Sequence, residues 1–180
     1  MSRSDLADTH CPVSRAIERV GDPWVLMILR EMFMGRSRFD DMQRLTGASP
    51  HILSQRLKRM CADGILEKRA YSNRPVRYEY HLTEKGRDLW PVIIMLKSWS
   101  DKWLGTKGMV ELRHKSCGNH IIPKVTCPDC AEPLDARQIS VDIDPALLAE
   151  NRARRAKDLH GEGHERDTPS EQNKSRRRHR

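Results

Sequence analysis

Apolar residues recur along this chain at two spacings, and the change from one to the other outlines its elements. Val13, Ile17 and Val20 lie four and three apart, which places them on one side of a short helix over Pro12 to Val20. Gly21-Asp22-Pro23 breaks that helix. Asp22 suits the cap of a second one, with Pro23 at a first position where its missing amide is no loss. Trp24 to Met34 then carries Trp24, Val25, Met27, Ile28, Leu29, Met32 and Phe33. A helix this apolar predicts the central core element, and Gly35 predicts its stop. Phe39, Met42 and Leu45 predict a third helix. Ser49-Pro50 starts a fourth, whose buried stripe is Leu53, Leu57 and Met60. From Leu66 the pattern shortens to strand-like alternation. Leu66 to Tyr71 and Val76 to Leu82 predict two strands, with Ser72-Asn73-Arg74-Pro75 as the turn. Thr83 is placed to cap a long last helix to about Leu104. Its stripe is Leu89, Val92, Ile93, Leu96, Trp99 and Trp103, and Pro91 predicts a kink in it.

The third and fourth helices, with Gly47-Ala48 between them, have the spacing of a helix-turn-helix. Away from its stripe, the fourth helix presents His51, Ser54, Gln55 and Lys58, with Arg56 and Arg59 on the flanks. Hydrogen-bonding and cationic groups on one face suit a DNA major groove. The hairpin that follows reads as a wing, with Arg74 at its tip and Arg77 just beyond. A guanidinium there reaches a phosphate or a minor groove. The bland alternative is an amphipathic helix pair followed by a solvated hairpin, and the wing tips the balance away from it. The candidate DNA-binding residues are Ser49, His51, Ser54, Gln55, Arg56, Lys58, Arg74 and Arg77. The last helix is too long and apolar for the other elements to cover. We therefore expect dimerisation through it and the first helix, which presents two heads to a palindrome.

The charge distribution agrees. The net charge is +8, and the excess is concentrated: +5 over residues 36–80 and +5 over residues 151–180, against −1 in each of the two other segments. A positive head favours a polyanion, because neutralised phosphates release their counterions. The last thirty residues have almost no large apolar side chains and predict a disordered tail or a frayed helix. Its terminal Arg176, Arg177, Arg178 and Arg180 could add non-specific affinity for DNA or merely solvate the tail. No apolar run approaches membrane-spanning length. Five cysteines, with no export signal at the start, point to a reducing cytoplasm.

The strings themselves resemble a known family. Cys11-Pro12-Val13 followed by Gly21-Asp22-Pro23-Trp24 is similar to the opening of HxlR-type bacterial regulators. So are Ser49-Pro50-His51-Ile52-Leu53-Ser54-Gln55-Arg56-Leu57 and Tyr78-Glu79-Tyr80-His81-Leu82-Thr83-Glu84-Lys85-Gly86. The resemblance covers about residues 11–104. It implies a winged helix-turn-helix homodimer that binds operator DNA and controls transcription, with dimer contacts through the first and last helices. Some members of the family respond to oxidants or electrophiles through a cysteine near the N-terminus. Cys11 stands in the matching place, so a redox or small-molecule effector is expected, acting through Cys11 if it is redox, with oxidation of Cys117, Cys127 or Cys130 as the rival trigger. Repression is the default sign, because a small dimer blocks polymerase without any activation surface.

Beyond that segment lies a second pattern. His114-x2-Cys117 is followed, after nine intervening residues, by Cys127-x2-Cys130. Two ligand pairs, each with a two-residue gap, match a zinc ribbon, since a short turn brings both side chains of a pair to one tetrahedral ion. One structural Zn2+ per chain is expected, held by His114, Cys117, Cys127 and Cys130. His120 is the alternative to His114. A thioredoxin-like redox pair at Cys127-Pro128-Asp129-Cys130 and a metal-free ribbon are the competing readings. A deaminase would need His-x-Glu beside the cysteines and an open coordination position. The chain has neither, nor a nucleophile elbow or phosphate loop, so we expect no enzyme. A zinc-knuckle interaction adaptor without specific DNA binding is the alternative function.

The expected fold is therefore mainly α with a small β-hairpin: a winged helix-turn-helix plus a small zinc-ribbon-like appendage. The expected divisions are a flexible start at 1–10, the DNA-binding and dimerisation domain at 11–104, the ribbon-like module at 105–145 and a basic tail at 146–180.

Overall fold

A computed structural model describes residues 9–161 of the chain. They form two units, one running to Val141 and the other starting at Asp142. In the first, α1 spans Pro12–Val20, α2 Pro23–Phe33, α3 Phe39–Thr46 and α4 Pro50–Ala62. Strands β1 (Leu66–Asn73) and β2 (Val76–Leu82) follow, then α5 (Glu84–Arg87) and α6 (Trp90–Trp103).

The local chemistry explains these boundaries. The Asp22 carboxylate accepts from the backbone amides of Trp24 at 2.9 Å and Val25 at 3.3 Å, which caps α2. Ser49 accepts from the Ile52 amide at 3.3 Å and caps α4. Between α3 and α4 the chain reverses at Gly47, whose φ of 73° is the left-handed conformation that glycine adopts without strain. Ala48 is small enough to be buried in the angle between the two helices.

The core forms around α2. Val25, Ile28 and Leu29 are fully buried, together with Met42 of α3 and Leu53, Leu57 and Met60 of α4. Helix α2 packs against α3, α4 and α6, and α4 also packs on β1. Phe33 meets Trp90 edge-on with ring centroids 5.1 Å apart, which anchors the start of α6 to the end of α2.

The strands pair antiparallel with Leu66 opposite Leu82, and a bulge lies between Ala70 and Ser72. Strand β1 runs on through Ser72 and Asn73, so the turn narrows to Arg74-Pro75 rather than the four residues expected. A third short edge was not anticipated. The Tyr80 amide donates to the Ser37 carbonyl at 2.8 Å, and Arg38 bridges Glu79. The extended residues before α3 thus pair with β2 and fix the wing to the helix-turn-helix.

The expected continuous helix from Thr83 to Leu104 is corrected to two pieces. Thr83 does cap, accepting from the Gly86 amide at 3.1 Å, but the helix it caps is the single turn of α5. Gly86 lies so close to β1 that a Cβ there would sit 2.2 Å from the Ile65 carbonyl oxygen. The chain turns again at Asp88-Leu89. Helix α6 starts afresh at Trp90, with Pro91 in its first turn. At that position a proline removes no intrahelical hydrogen bond, so it gives no reason for a kink.

After α6, residues 105–141 contain no regular strand and no fully buried residue. In the second unit, α7 spans Pro145–Gly161. The stretch expected to be tail from residue 146 is therefore helical as far as it is described. Asp144 accepts from the Ala146 amide at 2.7 Å, and Glu150 pairs with Arg154 one turn on at 2.7 Å. Helix-favouring Ala, Leu, Glu and Arg supply the propensity. The arginines at 176–178 and 180 lie outside the described residues. No described helix is long and apolar enough to cross a membrane.

Candidate nucleic-acid interface

Helix α4 carries most of the predicted contacts, and burial divides them. Ser49, His51, Ser54, Gln55 and Lys58 are exposed on one face, opposite the buried Leu53, Leu57 and Met60. His51 and Gln55 face each other one turn apart, with His51 Nε2 2.9 Å from Gln55 Nε2. This contact orients the Gln55 amide, the side chain best suited to a bidentate contact with adenine.

Arg56 is corrected. Its Nε donates to the Asp22 carboxylate at 2.9 Å, and its side chain is mostly covered. One edge of the guanidinium is thereby turned toward α2, and about a quarter of the side chain stays exposed. The same carboxylate caps α2, so one group holds the start of the core helix and the side of α4 together. Burial opposes the charge on Asp22. The hydrogen bond and charge of Arg56, with the Val25 and Trp24 amides, outweigh it and hold its carboxyl below the ordinary value. Arg59 acts similarly. It pairs with Glu18 of α1, donates to the Glu18 carbonyl at 2.9 Å and approaches Asp63 at 3.6 Å. Arg19 reaches Asp63 at 2.7 Å. An acidic seam of Glu18, Asp22 and Asp63 thus fastens α4 through the two arginines on its flanks. Arginine on a helix flank signals phosphate and ion pair equally, so the sequence alone does not separate Arg56 from Lys58.

The wing holds Arg74 at its tip and Arg77 just past it, both exposed. Two further cations were missed by sequence reasoning. Arg38 stacks over the Tyr71 ring at 4.6 Å, and Lys68 lies over Tyr78 at 3.7 Å. Arg38, Lys68 and Arg77 line one shallow depression with Tyr71, Tyr78 and Tyr80. The aromatic residues at alternate strand positions were the available signal. They position cations along the hairpin, not only at its tip.

Cys11 is half-buried at the N-cap of α1, its amide donating to Thr9 Oγ1 at 3.2 Å. Cys61 packs on the core from the end of α4, and burial pushes its thiol up against a weaker opposing effect of Lys68.

The ligand-spaced residues beyond α6 come together in pairs. His114 Nδ1 lies 3.4 Å from Cys117 Sγ. Cys127 is held below the ordinary thiol value by the amides of Cys130 and Asp129 and by the Cys130 thiol. Among the described residues, no three His, Cys, Asp or Glu side chains gather closely enough to hold an ion. His120 instead faces Glu111, at 3.6 Å.

With this geometry in place, likeness to other proteins settles the family. The model of the HxlR-like helix-turn-helix family matches residues 19–108. The chain belongs to the HxlR-like helix-turn-helix family. An uncharacterized HTH-type transcriptional regulator of Mycobacterium bovis is 40% identical over 139 residues, 76% of this chain and 88% of that one. A Mycobacterium tuberculosis counterpart matches to the same extent. Only eighteen residues precede the family segment, so these matches run well past Gly108 into the paired-ligand segment. Among solved structures, PA1607, a proposed transcription factor, is 29% identical with a TM-score of 0.70, covering 78% of this chain and 99% of that one. A second proposed transcription factor, from Pseudomonas aeruginosa, is 32% identical with a TM-score of 0.53, covering 80% and 99%. This HxlR-family protein is a DNA-binding transcriptional regulator.

Proposed function

We propose that this regulator acts as a homodimeric repressor on an inverted-repeat operator. α4 reads bases through Gln55, His51, Ser54 and Ser49, while Lys58, Arg74 and Arg77 hold phosphates. The observation that carries this reading is the apolar stripe left open along α6. Trp99 is 56% and Trp103 64% exposed, in line with Val92 and Leu96. On α1, Val13 and Ile17 are likewise open. A soluble domain that exposes indoles at helical spacing has a partner for them. A second copy supplies an identical stripe about a two-fold axis. Selection from random duplexes should return an inverted repeat, and Trp99→Glu should convert a sedimenting dimer to a monomer that loses the paired-site preference. A wild-type monomer with no enriched motif overturns the reading and leaves the adaptor function.

The proposal includes one structural zinc per chain, held by Cys117, Cys127, Cys130 and a histidine, either His114 or His120. Bound there, the ion would supply cross-linking of two turns that have no core of their own. The 3.4 Å between His114 Nδ1 and Cys117 Sγ supports the fit. A tetrahedral ion with ordinary zinc bond lengths separates a thiolate sulfur and an imidazole nitrogen by about 3.5 Å.

It also includes Cys11 as the effector thiol. Cys11 precedes α1 directly, and α1 is tied to α4 through Glu18 and Arg59. Modification there therefore has a short mechanical route to the reading helix. DNA affinity before and after mild peroxide, in wild type and Cys11→Ser, tests it. Loss of affinity in both proteins rules Cys11 out.

A further inference from the structure

The paired-ligand segment is a structural duplication. Within 112–121, the Ile121 amide donates to the Leu112 carbonyl at 2.8 Å, His114 to Asn119 at 2.9 Å and Gly118 to His114 at 2.8 Å. Thirteen residues later the same three bonds recur. Leu134 donates to Val125, Cys127 to Glu132 and Ala131 to Cys127, each at 2.9 Å. Isolated bridges repeat at the same offset, Arg113 with His120 and Thr126 with Pro133. So does the left-handed residue that closes each turn, Gly118 with φ 72° and Ala131 with φ 60°. Ala131 is the only non-glycine residue with positive φ among the described residues. A side chain at this strained position indicates that the turn is held to one shape.

This duplication bears on what the ligand spacing left open. In the first turn His114 occupies the place that Cys127 holds in the second, and Cys117 the place of Cys130. His120 corresponds to Pro133, on the far side of the turn, where its neighbour is Glu111. We infer that the metal site is formed by two equivalent knuckles, that its fourth ligand is His114, and that His120 takes no part in it. The inference rests on the proposed zinc reading and narrows it to one donor set.

Among the described residues no three candidate ligands gather in one cluster, so the reading requires the two pairs to close on the ion together. Each knuckle pre-shapes two donors, and an ion would draw the two pairs together. Metal binding and closure of the segment are then a single event. Three sulfurs and one nitrogen favour a thiophilic, tetrahedral ion, and four protein ligands leave no position for a reacting water.

The test uses the full chain, stripped of metal under reducing conditions and titrated with Co2+ alone. The wild type is expected to bind one ion per chain and to develop the visible bands of tetrahedral cobalt with sulfur-to-metal charge transfer. His120→Ala should leave stoichiometry, spectrum and affinity unchanged. His114→Ala should lower affinity by more than the ~10–100-fold that losing a supporting partner costs. His114→Cys should restore a tetrahedral spectrum with stronger sulfur charge transfer, which a misfolded knuckle would not do. If His120→Ala abolishes the bands and His114→Ala spares them, the ligand assignment is overturned while the zinc reading stands. If the wild type never develops the bands, the zinc reading itself fails, and this inference with it.

Discussion

The winged helix and the knuckle segment are held by opposite means. The first carries a contiguous apolar core in which Ile28, Leu29, Leu53 and Leu57 are fully buried. The second, residues 105–141, buries no residue fully, and Ile122, Val125 and Val141 are more than half exposed. Its order comes from backbone hydrogen bonds repeated in two turns. A segment this short cannot bury enough apolar area to offset its chain entropy, and such segments are stapled by disulfides or metal. The difference teaches where each part is vulnerable. The head is expected to fail when a core side chain is shortened; on the proposed zinc reading, the knuckles would fail when a thiol is lost.

The largest expected effect lies in the core. Leu57→Ala should destabilise the head by about 2–5 kcal/mol, measured by urea unfolding, because it leaves a cavity under the reading helix. A loss below about 1 kcal/mol would mean that this core is less closely packed than its burial indicates. Next is the DNA face. Gln55→Ala should weaken binding to the selected operator by about 1–3 kcal/mol while leaving the urea midpoint unchanged. If non-operator DNA weakens equally, Gln55 holds a phosphate and reads no base.

The Arg56–Asp22 pair comes third. Arg56→Met should cost about 1–2 kcal/mol of stability, between the values for exposed and buried pairs. It should alter operator sequence preference little. The sign of the pH dependence follows from the lowered carboxyl of Asp22. Its contribution is present in full above the ordinary aspartate value of about 4 and lost as pH falls through the depressed folded value. Arg56→Met should flatten that acid limb of the stability curve. The smallest effect on the head is expected from Cys127→Ser. Hydrogen exchange should show the knuckles opening while the core stability moves by less than about 0.5 kcal/mol. A larger shift in the head would show that the two regions share a core after all.

Much of this molecule was legible in its residues because the relevant signals are local. The caps at Asp22, Ser49 and Thr83, the stop at Gly35 and the stripe of Leu53, Leu57 and Met60 each follow from side chains within a few positions of the backbone they satisfy. The two-residue gap of each ligand pair is a local signal too, but the gathering of His114, Cys117, Cys127 and Cys130 at one ion is a proposal that periodicity does not decide. Tertiary structure decided the rest, because those outcomes depend on distant neighbours. Whether Arg56 faced outward or inward was set by Asp22, thirty-four positions earlier. Pro91 lies in the first turn of a new helix, and the turn before it holds Gly86 against the Ile65 carbonyl. Ser37 and Arg38 became a sheet edge only when β2 arrived beside them. Periodicity shows which faces are apolar. Which charged side chain finds a buried partner, and where a helix must break to pass a strand, is set by the packing of elements far apart in the chain.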